Sequence, residues 1–180
     1  MLPTFFLSGL SMLSKFTAIL TDMLLVKQIS ILGLQQTHSA ASALTPRFKN
    51  FLTSHDLPNL LYTSFWDYDP RDSHSGVGFI VARHIHRYVH QIHKFKGRLI
   101  ALDLHFSSTK FCIINIYNYH RMNWKNSTLL VDGIAFANYI IDYITSSNLM
   151  DSKSLFWAIL MQMQKSFLFI LLQGLYSPTL

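Results

Sequence analysis

RLIALDLHFSSTKFCIINIYNY, residues Arg98 to Tyr119, decides how the chain folds. Leu99, Ala101, Asp103 and His105 alternate with Ile100, Leu102, Leu104 and Phe106, and a β-branched and aromatic run, Phe111 to Tyr117, follows. Period two on both sides of the polar link Ser107-Ser108-Thr109-Lys110 predicts an antiparallel hairpin, with strands over 98–106 and 111–118. The second run is apolar on both faces, which marks a central, buried strand. It ends in Asn115-Ile116-Tyr117, where polar groups gather, so a site is expected near that edge.

Outward from the hairpin, further strands are expected over 29–34, 59–66 and 76–82. An amphipathic helix opens at Ser11 and runs to about Lys27, with Leu13, Phe16, Leu20 and Leu24 at helical spacing. Met1–Leu10 reads as a strand or a ragged terminus, and a short helix is expected from Pro46 to about Thr53. The polar cluster Gln35-Gln36-Thr37-His38 falls at the C-terminal end of a strand, where α/β proteins carry sites. Gly76-Val77-Gly78 is no phosphate loop, and its glycines predict close approach of another backbone or a bulge. Leu129-Leu130-Val131 reads as a strand stub ending at Asp132-Gly133, with a helix over 134–145 that Asp132 would cap.

At 180 residues, half of them apolar, the chain is long enough for one packed domain and too apolar for a disordered one. Its single cysteine, Cys112, excludes an internal disulfide, fits an intracellular setting and reads as a small buried hydrophobe. The balance of 15 Lys+Arg against 9 Asp+Glu suits a polyanionic partner such as nucleic acid, although the charge is diffuse. On a helix, His86, His90 and His93 would share one face, an arrangement that suits zinc; the alternative is a basic, partly exposed connector. Composition shifts at about Ser152. The apolar tail 152–180 is expected to be helical over 154–173, covering an exposed sheet face or contacting a membrane, although Gln162, Gln164, Lys165 and Gln173 interrupt it as a membrane span.

ILGLQQTH after an amphipathic helix, then SGVGFIV, RLIALDL and FCIINIYN, in that order, resembles the endonuclease/exonuclease/phosphatase superfamily over residues 5–151. The likeness is to the endonuclease-like domains of retrotransposons. It implies an α/β fold, an incomplete DNase I-like four-layered sandwich of two sheets between helices. It also implies an ancestral magnesium-dependent phosphodiester hydrolase acting on nucleic acid. A hard cation held by carboxylates would stabilise charge developing on the phosphate oxygens. Carried over by position, Gln36 stands at the metal-binding glutamate, Tyr117 at the phosphate-site tyrosine and Asp132 at the aspartate of a Gly-Asp-x-Asn motif. Phe6-Leu7-Ser8-Gly9 keeps only the glycine of the family's asparagine-rich run, Tyr119 replaces a proline, and the C-terminal Ser-Asp-His motif is absent. The resemblance therefore implies an inactive copy with magnesium binding impaired at Gln36. The rival readings are a non-catalytic fragment that binds nucleic acid or protein, and a poorly folded product of a decayed mobile element. On either, Gln36 and His38 are a strand-end turn and Tyr117 packs on the sheet.

Overall fold

The computed structural model describes residues 5–9, 14–57, 61–73, 75–107, 109–117, 127–146, 156–160 and 167–175. The chain is mixed α/β and builds two sheets. In the first, β1 (Phe5–Gly9), β2 (Ile31–Gln35), β3 (Tyr62–Asp67) and β4 (Val77–Ala82) lie in the order β1-β2-β4-β3. β1 and β2 are parallel, joined through helix α1 (Ser14–Leu20) and its π-helical continuation Thr21–Val26; the other pairs are antiparallel. Parallel neighbours need such a crossover, and the amphipathic helix supplies it.

The second sheet is antiparallel throughout. β5 (Val89–Phe95), β6 (Leu99–Phe106), β7 (Thr109–Tyr117), β8 (Phe156–Leu160) and β9 (Phe167–Leu175) lie in the order β5-β6-β7-β9-β8. The hairpin pairs His105 with Lys110 and Phe106 with Thr109, so its link is Ser107-Ser108 alone, and Ser107 takes a left-handed φ of 47°. The expected four-residue link is therefore shortened. Thr109 and Lys110 extend the strand because cross-strand pairing satisfies their backbone groups.

Three apolar clusters order the layers. Phe16, Leu20, Met23 and Leu24 pack with Leu44, Phe48, Phe51 and Leu52 of helix α2 (Ala41–Ser54) against Leu32, Leu34, Trp66 and Ile80 on one face of the first sheet. Ile31, Val77, Phe79 and Val81 on its other face meet Ile100, Leu102, Leu104, Ile113 and Tyr117 of the second sheet. Leu99, Ala101, Cys112, Ile114 and Ile116 then receive Phe136 and Tyr143 of helix α4 (Ser127–Ser146). The sequence of layers is helices, sheet, sheet, helix. β2 and β4 are buried along their whole length because each of their faces has a neighbour.

Several expectations are corrected. α2 begins at Ala41 rather than Pro46, because Leu44 completes an i, i+4, i+7, i+8 stripe with Phe48, Phe51 and Leu52. Pro46 sits inside the helix on its exposed side, where it cannot supply the donor for the Ser42 carbonyl. The strand stub at Leu129–Val131 is helix, since α4 starts at Ser127, a residue type suited to helix starts. Asp132 is therefore the sixth helical residue and not a cap; its side chain lies outside the described residues. The helix proposed for 154–173 is instead the hairpin β8–β9, whose second strand pairs residue for residue with β7 from Thr109↔Leu175 to Tyr117↔Phe167. β7 carries a row of backbone donors and acceptors on its outer side, and an apolar segment that satisfies them as a strand gains more than one lying across a face. Finally, helix α3 (Arg83–His86) is one turn long and β5 follows it, so His86, His90 and His93 share no helical face. His86 stacks on Phe65, His90 on His105, and His93 bonds Asp103. Among the described residues no group of three or more His, Cys, Asp or Glu is placed to hold a metal ion, and no helix is long and apolar enough to cross a membrane.

Candidate functional site

The strand ends that the sequence singles out do converge. β2 and β7 bring Gln35, Gln36, Asn115 and Tyr117 to one end of the sandwich, across a separation of about eighty residues. Gln35 and Asn115 are wholly buried and face each other between the sheets. Gln35 Nε2 donates to Asn115 Oδ1 at 2.8 Å and to the Ile116 carbonyl at 2.9 Å. Asn115 Nδ2 donates to the Leu34 and Gly78 carbonyls, each at 3.0 Å. This clamp joins the sheets through amide groups that would otherwise be buried without partners, which costs on the order of 1–3 kcal/mol per group. The sequence places both residues near the site without revealing that they hold the sheets together.

Gln36 leaves the strand with φ 55°, and His38 follows with φ 49°. A left-handed conformation is uncommon for residues other than glycine and costs about 1 kcal/mol or more. Here it is held by the backbone bonds Thr37 N–H to Gly76 O and His38 N–H to Ser75 O, each 3.2 Å. Gly76 has φ 122°, and a Cβ there would lie 2.3 Å from Thr37 Oγ1 and 2.9 Å from the His38 nitrogen. Glycine is the residue that permits this approach. The kink aims Gln36 at β7, and its Nε2 donates to the Tyr117 hydroxyl at 2.8 Å.

Arg98, the residue before β6, lies with its guanidinium 4.7 Å from the centre of the Tyr117 ring. It is buried and paired with Asp72 from the loop between β3 and β4. The same loop is tied inward through Ser75, whose Oγ donates to the Asp69 carbonyl and accepts from the Asp69 N–H, both at 3.0 Å. Arg71, bonded to both Asp69 carboxylate oxygens, holds that carboxyl below its ordinary range. Burial raises the neighbouring Asp67 carboxyl, although the Gly97 N–H donates to it at 2.6 Å. Arg98 and the Asp67–Asp72 carboxylates are the groups that sequence reading missed. The signal was present in the Asp67-to-Gly76 turn, but no spacing rule joins it to Arg98.

Of the residues expected to form a metal and phosphate site, Gln36 and Tyr117 meet directly. Asp132 lies four residues ahead of Phe136 on α4, the helix that covers the outer face of the second sheet. The Gln36–Tyr117 pair offers an amide and a phenol, both neutral, and Gln36 turns a donor toward Tyr117. Gln35 Oε1 and Thr37 Oγ1 are buried oxygens with no hydrogen-bond partner, and they too are neutral. Magnesium requires hard oxygen, and its protein sites rest on carboxylates. Arg98, over the Tyr117 ring and paired with Asp72, adds no anionic ligand either. The residues present do not fit a magnesium ion.

The fold and this convergence define a mixed α/β protein with two facing sheets and a polar site at one end of them. No protein-family model matches the sequence, and no curated protein matches it.

Proposed function

We propose that the chain is an incomplete member of the DNase I-like endonuclease/exonuclease/phosphatase superfamily, of the retrotransposon-endonuclease kind, and that it no longer hydrolyses phosphodiesters. Two facing sheets between helices support the family reading, as does the meeting of residues 36 and 117 at one end of them. The observation that carries the loss of activity is the hydrogen bond from Gln36 to Tyr117. Where the family would place an anionic metal ligand, a neutral amide is bonded to the tyrosine. Replacing one metal carboxylate removes several kcal/mol of transition-state stabilisation, each 1.4 kcal/mol being tenfold in rate.

The test is nicking of supercoiled plasmid DNA by the purified chain with magnesium. The expected result is no cleavage above that of Tyr117→Phe. Cleavage by the wild type that a chelator and Tyr117→Phe both abolish overturns the proposal. The second reading, a non-catalytic nucleic-acid-binding fragment, is favoured by the distribution of charge: between Asp72 and Asp132 the sequence holds one acidic residue, Asp103.

A further inference from the structure

The far end of the sandwich carries a feature that the candidate site does not use. α3 follows β4, and with the start of β5 and the β6–β7 turn it forms the end opposite Gln36 and Tyr117. β6, eight residues long, separates the two ends by roughly 25 Å. Arg83-His84-Ile85-His86-Arg87-Tyr88-Val89-His90 holds two arginines, three histidines and no acidic residue. Arg83, His84, Arg87 and His90 are exposed.

The aromatic groups there are ordered in stacks. The pairing of β5 with β6 shifts register between Val89 and Gln91, so His90 is an unpaired bulge residue. Bulges re-aim side chains, and this one places the His90 ring parallel to that of His105, with centroids 4.2 Å apart and planes 16° apart. Lys110 pairs with His105 across the β6–β7 hairpin. Arg87 donates to the Tyr88 hydroxyl at 2.8 Å and lies 4.7 Å from that ring's centre. The Tyr88 ring packs on Phe106 at 4.3 Å. The carboxylate that acts on His105, Asp103, accepts from Tyr143 and pairs with His93.

We propose that this end of the sandwich, built from Arg83, Arg87, Tyr88, His90, His105 and Lys110, is a binding surface for single-stranded nucleic acid. Exposed cations beside flat aromatic rings are what a single strand needs: the cations track phosphates and the rings accept bases. An anionic membrane would require apolar side chains that protrude, whereas Phe106 and Phe111 here are half-buried and packed edge to face on each other. The inference rests on the second, nucleic-acid-binding reading and gives it a surface, and it stands apart from the family reading, since it uses none of the residues at the candidate site.

The surface is also sensitive to pH. Burial, then His90, then Lys110 lower the His105 pKa, with Asp103 opposing them. A bound polyanion offsets the positive charge around His105 and raises its pKa, so binding is coupled to proton uptake and strengthens as pH falls toward the lowered value of the free protein.

The experiment is fluorescence anisotropy with a labelled 20-nucleotide oligo(dT) and the full chain, at several salt concentrations and at pH 8 and pH 6. Binding is expected to be several-fold tighter at pH 6. Arg83→Ala with Arg87→Ala is expected to weaken it about tenfold and to flatten the salt slope by roughly 0.7 per lost phosphate contact. His90→Gln with His105→Gln is expected to reduce the pH dependence, while Lys49→Ala, on the exposed side of α2, leaves binding unchanged. Ultraviolet crosslinking of the wild-type chain to bromodeoxyuridine oligonucleotide, with the crosslinks mapped, needs no variant and is expected to mark residues 83–110. The proposal is overturned by unchanged affinity in the arginine variant, by crosslinks confined to other segments, or by binding to phosphatidylserine vesicles without binding to the oligonucleotide. Plasmid nicking tests the family reading separately, so either can fail alone.

Discussion

Asp103→Ala should be among the most damaging single substitutions in the second sheet. Asp103 on β6 accepts from the Tyr143 hydroxyl of α4 at 2.5 Å through Oδ1, and its Oδ2 lies 3.1 Å from His93 Nε2 of β5. The Tyr143 oxygen lies a further 2.9 Å from Cys112 Sγ on β7. One carboxylate thus ties three strands to the covering helix. Tyr143 is buried, and the Asp103 side chain is 20% exposed. A hydrogen bond to a charged group contributes about 1.5–3 kcal/mol when little screened. Losing two, with the Tyr143 hydroxyl left buried, gives a destabilisation on the order of 4 kcal/mol, a large share of the roughly 5–15 kcal/mol available to a domain. With a urea slope near ~2 kcal/mol/M, the unfolding midpoint followed by circular dichroism should fall by about 2 M. Tyr143→Phe should lose about half as much, and the double variant little more than Asp103→Ala alone, because both remove the same bond. A loss under about 1 kcal/mol for Asp103→Ala, or additive losses, would refute the network. The pH dependence has a definite sign. Burial, Cys112 and Asp103 push the Tyr143 phenol well above its ordinary value. Above about pH 10 the unfolded chain therefore loses this proton first, and stability falls as pH rises.

Three other outcomes are expected. Gln36→Glu should create weak magnesium binding measurable by calorimetry yet restore no plasmid cleavage, because catalytic groups that act together are not rebuilt singly; unchanged metal affinity would remove residue 36 from the metal position. Gly78→Ala should lower thermal stability by about 2 kcal/mol or more, since its Cβ would lie 2.2 Å from Trp66 Cε3; an unshifted melting curve would show that the Trp66 ring moves freely aside. Truncation before Phe156 should leave the nine-residue edge of β7 unpaired and drive association visible by light scattering; a monomeric truncation with unchanged melting would sink this role for β9.

Much of the fold was legible without the structure. Strict alternation in Leu99–Phe106 and the β-branched run after Phe111 could bury apolar surface only as paired strands, and the i, i+4 spacing of Phe16, Leu20 and Leu24 only as a helix. Polar residues that close the apolar runs, at Gln35 and at Asn115 and Tyr117, marked a strand-end site, because such groups cannot continue into a core without partners. Depletion of acid between Asp72 and Asp132 was equally a property of the sequence.

Other features needed tertiary partners to decide them. Phe156–Leu175 is apolar enough for helix or strand, and the open side of β7 selected strand. Leu129-Leu130-Val131 has strand propensity, but it lies within the continuous helix α4, whose Phe136 and Tyr143 pack on the second sheet. The histidines of residues 84–93 carry no sign of where they point; a one-turn helix and a bulge sent His86, His90 and His93 to three different partners. Gln35 meeting Asn115, Arg98 covering Tyr117, and Tyr143 reaching Asp103 are contacts between residues distant in the chain. Local propensities of a few tenths of a kcal/mol specify periodicity along the backbone. The pairing of a buried amide or carboxylate contributes several times more, and it exists only once two sheets and a helix have closed around it.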